Sequence, residues 1–130
     1  MVFLTPLVLR PLSHRLWQLQ ANFVVESDVA GQVFVPAGFV CDLSSMPRAL
    51  WWESTPTDYA EAGVLHDYAY HDHRLPRDTA DALYRETLLA LGMGRWRAAV
   101  RYRALRLFGS VAYRHDAPQE SDTASGKPSE

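Results

Sequence analysis

Residues Tyr59–Tyr70 read YAEAGVLHDYAY, and within them Tyr59, Ala62, Gly63, His66, Ala69 and Tyr70 recur at three- and four-residue steps. That is the spacing of one face of an α-helix. N-terminal to this stretch the pattern is different. The runs LVLRPL (7–12), LWQLQANFVVES (16–27) and VFVPAGFV (33–40) are rich in β-branched and aromatic residues and read as strands. Ser27–Gly31 has the composition of a hairpin turn, and Pro36-Ala37-Gly38 marks a second break. A small N-terminal antiparallel sheet is expected.

C-terminal to Tyr70 the helical spacing continues. Pro76 ends the first helix and precedes a second over Arg77–Leu91, with Ala80, Tyr84, Thr87, Leu88 and Leu91 on its inner stripe. Gly92 and Gly94 stop that helix, and a third runs from about Arg95 to Tyr113, with Trp96, Val100, Leu107, Phe108 and Val111 expected inside. Strands followed by helices define an α+β fold, the first two helices forming an antiparallel hairpin. Residues 1–115 are read as a single domain. Residues 116–130 hold no large apolar side chain and are rich in Ser, Pro, Asp and Glu, the composition of a disordered tail.

With 48% hydrophobic residues in a chain of 130, one core can be built. A net charge of -2 argues against a protein that wraps duplex nucleic acid. Cys41 is the only cysteine, so no internal disulfide forms. The apolar start MVFLTPLVLRPL is broken by Pro6 and Pro11 and lacks the pattern of a signal peptide, and no stretch has the length of a membrane span.

The polar residues around His66 carry the functional question. Successive helical residues lie about 100° apart, so His66 shares a face with Tyr70 and not with Asp67. His66 therefore points inward, and Asp67 points to the helix shoulder or to a loop beside it. Asp81 shares a stripe with Tyr84 and Leu88, and a buried carboxylate needs partners. In an antiparallel hairpin those partners are His66 and Tyr70, with Asp81 orienting the imidazole so that its other nitrogen can accept a proton. The structural alternative is equally definite: Asp78 and Asp81 open a helix in the ordinary way, and His66 is a satisfied core histidine.

Two further groupings are weaker. His71, Asp72 and His73 with Asp67 offer zinc ligands, but their spacing reads better as a solvated loop. Cys41, Ser44 and Ser45 beside Asp42 suggest a nucleophile, although a turn that satisfies backbone groups explains them more simply. Trp51 and Trp52 read as a core plug or a partner-facing patch, the core being the better reading.

The segments GFVCDLSSMP (38–47), HDYAY (66–70) and Asp81 resemble a family of small phage and prophage proteins, domain of unknown function 1353. The resemblance spans about Gly38 to Phe108 and implies a phage origin, hence a host-cytoplasm or virion setting. The His-Asp-x-x-Tyr helix with a second aspartate on an antiparallel helix is also similar to phospholipase A2. That similarity implies a metal-assisted ester hydrolase, with His66 as base, Asp67 as a calcium ligand, Asp81 as the orienting acid and Tyr70 as its partner. The disulfides and glycine-rich calcium loop of those enzymes have no counterpart here. Only the loop Pro36–Asp42, with Gly38 and the Asp42 carboxylate, is placed to add oxygen ligands, which suit calcium better than zinc.

Charge is concentrated in the third helix. Arg95, Arg97, Arg101, Arg103, Arg106 and Arg114 lie there without an acid, whereas the rest of the chain has seven basic and fifteen acidic residues. Such a helix can meet anionic lipid, a phosphate-bearing polymer or an acidic protein, or simply present a solvated basic face. Two readings result: a small hydrolase built on His66 and Asp67, and a non-catalytic virion or assembly protein whose arginine helix docks on phage structural proteins and whose His66, Asp67, Tyr70 and Asp81 form a structural network.

Overall fold

The computed structural model describes residues 1–13, 16–42, 58–73 and 75–115, with side chains described as far as Leu107. Six short strands precede three helices. The strands are β1 (Val2–Phe3), β2 (Leu9–Pro11), β3 (Leu16–Leu19), β4 (Phe23–Ser27), β5 (Gly31–Val35) and β6 (Val40–Asp42); the helices are α1 (Ala60–Asp72), α2 (Arg77–Ala90) and α3 (Arg95–His115). The α+β class is as the sequence indicates.

The strands form two antiparallel sheets rather than one, ordered β1-β4-β5 and β2-β3-β6. The run 16–27 divides at Gln20–Asn22, where the chain leaves one sheet for the other, and Pro36–Gly38 is the return crossing. Asn22 joins the two crossings: its Oδ1 accepts the Ala37 amide at 2.8 Å, and its carbonyl accepts the Thr5 hydroxyl at 3.1 Å. Within β4 and β5, Phe23, Val25, Val33 and Val35 are buried and alternate with residues facing outward, the two-residue period of a half-buried ribbon. The turn between them closes at Gly31, whose φ of 71° suits glycine. Inside that turn the Ser27 hydroxyl accepts the amides of Val29 and Ala30 at 3.1 and 3.0 Å.

Both sheets share one core with the helices. Leu19, Phe23, Val25, Val33, Val35 and Cys41 pack against Val64 and Leu65 of α1 and Leu83 of α2. Helix α1 is thus covered on two sides, by sheet and by helix. Ala62 clusters with Tyr84 and Leu88, while Ala69 and Tyr70 cluster with Ala80. The start of α1 therefore meets the end of α2, and the hairpin is antiparallel. Truncating Leu83 to Ala in such packing costs about 2–5 kcal/mol. Gly92, at φ 96°, ends α2 as expected.

The third helix has its inner face reversed from expectation. Ala98, Arg101 and Leu105 are buried, whereas Trp96, Val100 and Leu107 are exposed. Helical spacing marks two apolar stripes on α3, and the one with small residues allows the closer approach to α2. Phe108, Val111, Trp51, Trp52, Ser44, Ser45 and the predicted tail lie outside the described side chains. No helix among the described residues is long and apolar enough to cross a membrane.

Candidate active site

The hairpin brings together three of the residues singled out in the sequence. His66 on α1 and Asp81 on α2 are 2% and 0% exposed, and His66 Nε2 lies 3.0 Å from Asp81 Oδ1. One turn along α1, the Tyr70 hydroxyl donates to the same Oδ1 at 2.5 Å. The second carboxylate oxygen faces two arginines: Arg106 Nη1 donates to Oδ2 at 3.1 Å, and Arg77 Nε lies 3.8 Å from it. Arg77 is itself held by α3, donating through Nη2 to the carbonyls of Leu105 and Arg106 at 2.9 and 2.6 Å.

Burial opposes the ionisation of Asp81, but hydrogen bonds from His66, Tyr70 and Arg106 outweigh it and hold the carboxyl below its ordinary value of 3.8. Asp81 is therefore an acceptor on both oxygens. It follows that Nε2 of His66 carries the proton and donates it to Asp81, which leaves Nδ1 with a lone pair. Burial, and then the bond to Asp81, push the Tyr70 hydroxyl upward, so it remains a donor.

His66 Nδ1 is buried and has no partner among the described residues. A buried acceptor left unsatisfied costs about 1–3 kcal/mol. The imidazole is otherwise fixed, with the Tyr70 ring centroid 4.1 Å away and the Tyr84 ring edge-on at 5.3 Å. The imidazole is thus oriented, with one nitrogen bonded to a carboxylate and the other buried and unpaired among the described residues.

Asp67 takes the other side of α1. Its Oδ2 accepts the backbone amide of Asp42 at 3.0 Å, which ties α1 to the end of β6. Phe39 packs there against Tyr68 and His71, with ring centroids 5.2 and 6.0 Å away. Asp67, expected as a calcium ligand, is thus engaged by the backbone of Asp42. Among the described residues no group of three or more His, Cys, Asp or Glu side chains converges to hold a metal. A cation there would depend on main-chain oxygens in addition to these two carboxylates.

His71 and Asp72 fall in the last turn of α1 rather than beyond it, and His73 caps the helix in the left-handed region at φ 53°. Cys41 is 1% exposed, and burial, with Asp67 and Asp42 nearby, pushes its thiol up to about 12. It is not a thiolate nucleophile. Arg77 and Arg106 are members of the cluster that the sequence reading did not place there. For Arg77 a signal existed, because it stands four residues before Asp81 on the same helix; Arg106 comes from α3 and has no local signature.

A family model described as "Protein of unknown function (DUF1353)" matches residues 17–105. The chain belongs to that family. The matched span runs from β3 into α3 and includes Asp42, His66, Asp67, Tyr70 and Asp81, but it ends one residue before Arg106. No curated protein and no solved structure matches the chain.

Proposed function

We propose that this protein is a small ester hydrolase in which His66 is the general base and Asp81 its orienting acid. The single observation that carries this reading is the unpaired lone pair on Nδ1 of a buried imidazole whose Nε2 is committed to an ionised carboxylate. In the proposed reaction Nδ1 takes a proton from water, and the water oxygen forms a bond to the ester carbonyl carbon. The carbonyl–alkoxide bond then breaks, and the alkoxide leaves with the proton returned from His66. Asp81 stabilises the imidazolium between these two transfers, and Tyr70 and Arg106 hold Asp81 in place.

The cation in this proposal is calcium rather than zinc, because Asp67 and Asp42 offer hard oxygen donors. Calcium takes roughly six to eight oxygens, so main-chain carbonyls of the 36–42 loop would have to complete its shell. The proton transfers above do not depend on it. A phage setting belongs to the same proposal and rests on the sequence pattern around Gly38–Pro47.

One observation favours a second reading. His66 at 2% and Asp81 at 0% exposure are as buried as core residues, which suits a structural network in a virion or assembly protein. The experiment that separates the two is hydrolysis of a fluorogenic phospholipid and a simple aryl ester by wild type and His66→Ala, with calcium, zinc or chelator. The hydrolase reading expects a loss of at least about 100-fold in kcat/KM. Absence of any His66-dependent hydrolysis supports the structural reading. Calorimetric titration with calcium and zinc tests the cation separately.

A further inference from the structure

Helix α3 has a second apolar face that no described element covers. Trp96, Val100, Arg103 and Leu107 follow one another at four-, three- and four-residue steps, a line about 16 Å long at 1.5 Å per residue. They lie on the opposite side of the helix from the buried Ala98, Arg101 and Leu105. Trp96 is 80% exposed, Leu107 73% and Val100 36%. Arg95 projects from the neighbouring shoulder, Arg103 stands within the line, and no acidic residue occurs between Arg95 and His115.

A single exposed tryptophan needs no explanation, but an apolar line with arginines in an acid-free helix does. Its chemistry is mixed: hydrocarbon from Trp96, Val100 and Leu107, with the Arg103 guanidinium among them and Arg95 at the edge. A bilayer of anionic phospholipid matches both, with acyl chains below a sheet of phosphate. A phosphate polymer would leave Val100 and Leu107 without a use. We propose that this face of α3 binds an anionic phospholipid surface.

Arg106 connects that surface to the candidate site, because its guanidinium reaches Asp81 Oδ2 at 3.1 Å. This last link rests on the hydrolase reading and names its substrate class as phospholipid; binding itself is measured without turnover.

The test is co-sedimentation of the full chain with vesicles of equal parts phosphatidylglycerol and phosphatidylcholine, and with vesicles of phosphatidylcholine alone. Wild type is expected to partition onto the anionic vesicles, less so at high salt. The double variant Trp96→Ser, Leu107→Ser and the single variant Arg103→Glu are each expected to lose at least about ten-fold in partition. Because the substituted side chains are exposed, melting curves by circular dichroism should match wild type, which separates lost binding from lost folding. His66→Gln is expected to bind vesicles as wild type does.

The proposal is overturned if wild type stays in the supernatant, if it binds both vesicle types equally, or if the variants bind undiminished. It is also overturned if analytical ultracentrifugation shows a self-association that the double variant abolishes, or if poly-glutamate is retained where anionic vesicles are not. Vesicle binding lost while aryl-ester hydrolysis persists sinks this inference alone. Hydrolysis absent while vesicle binding persists sinks the hydrolase reading alone.

Discussion

Helix α2 carries two carboxylates five positions apart, Asp81 and Glu86, and each fastens the helix to a different part of the molecule. Glu86 accepts the Ser27 hydroxyl at 2.5 Å on one oxygen and the Asp28 amide at 2.8 Å on the other, with the Met1 amino group 3.6 Å away. Both oxygens of Glu86 are used, and the cluster does one thing: it clamps the β4–β5 turn onto the helix. The Asp81 cluster is as well filled on the carboxylate side, by His66, Tyr70 and Arg106. It differs in leaving the far nitrogen of the imidazole unpaired among the described residues. A closed network specifies packing; one that stops at an unused lone pair offers chemistry in addition.

The largest effect that would break this contrast is kinetic. His66→Gln is expected to lower kcat/KM for ester hydrolysis by about 10²–10⁴-fold, while Glu86→Gln leaves it unchanged; steady-state assays on both variants check this. Next comes stability. Asp81→Ala removes the acceptor for a buried imidazole and an arginine, and should cost about 3–5 kcal/mol in urea unfolding. Glu86→Gln, at a partly exposed clamp, should cost about 1–2 kcal/mol.

The pH dependence of these differences sharpens the comparison. The folded carboxyl of Asp81 titrates below 3.8, its ordinary value. Its contribution is therefore complete above that value and is lost as pH falls through the lowered folded value. The stability gap between wild type and Asp81→Asn should be constant near neutrality and shrink in acid. A gap that widens as pH falls would place the charge elsewhere. The smallest expected effect belongs to Tyr70→Phe, about 1 kcal/mol for the lost hydroxyl, with Nε2 still on Asp81; melting curves and the ester assay measure both parts.

Much of the hairpin was legible in the sequence. His66 and Tyr70 are four residues apart, Asp81 shares a stripe with Tyr84 and Leu88, and the short connection between helices forces the two faces together. Those local facts suffice to bring His66, Tyr70 and Asp81 to one point. Where tertiary choice decides, local spacing was silent. The apolar run 16–27 shows no strong breaker, yet it turns a corner at Asn22, whose side chain bonds a loop fifteen residues away. In α3 both stripes have helical period, and the small side chain of Ala98, not the size of Trp96, accompanies the inward face. Arg101 is buried there with its guanidinium 5.8 Å from the Tyr59 ring, a placement that no composition rule foresees. The expected arginine face is accordingly divided: Arg101 and Arg106 turn to internal partners, while Arg95 and Arg103 face outward.

The tautomer of His66 tests the central contrast without any knowledge of the substrate. Long-range proton–nitrogen NMR of the histidine-labelled protein, with the resonances assigned through His66→Gln, reads which ring nitrogen carries the proton at neutral pH. The account predicts a proton on Nε2 and none on Nδ1, with that preference lost in Asp81→Asn. A proton resident on Nδ1 in the wild type would contradict it, because the lone pair would then sit on Nε2, against the Asp81 carboxylate, and Nδ1 would have none to offer.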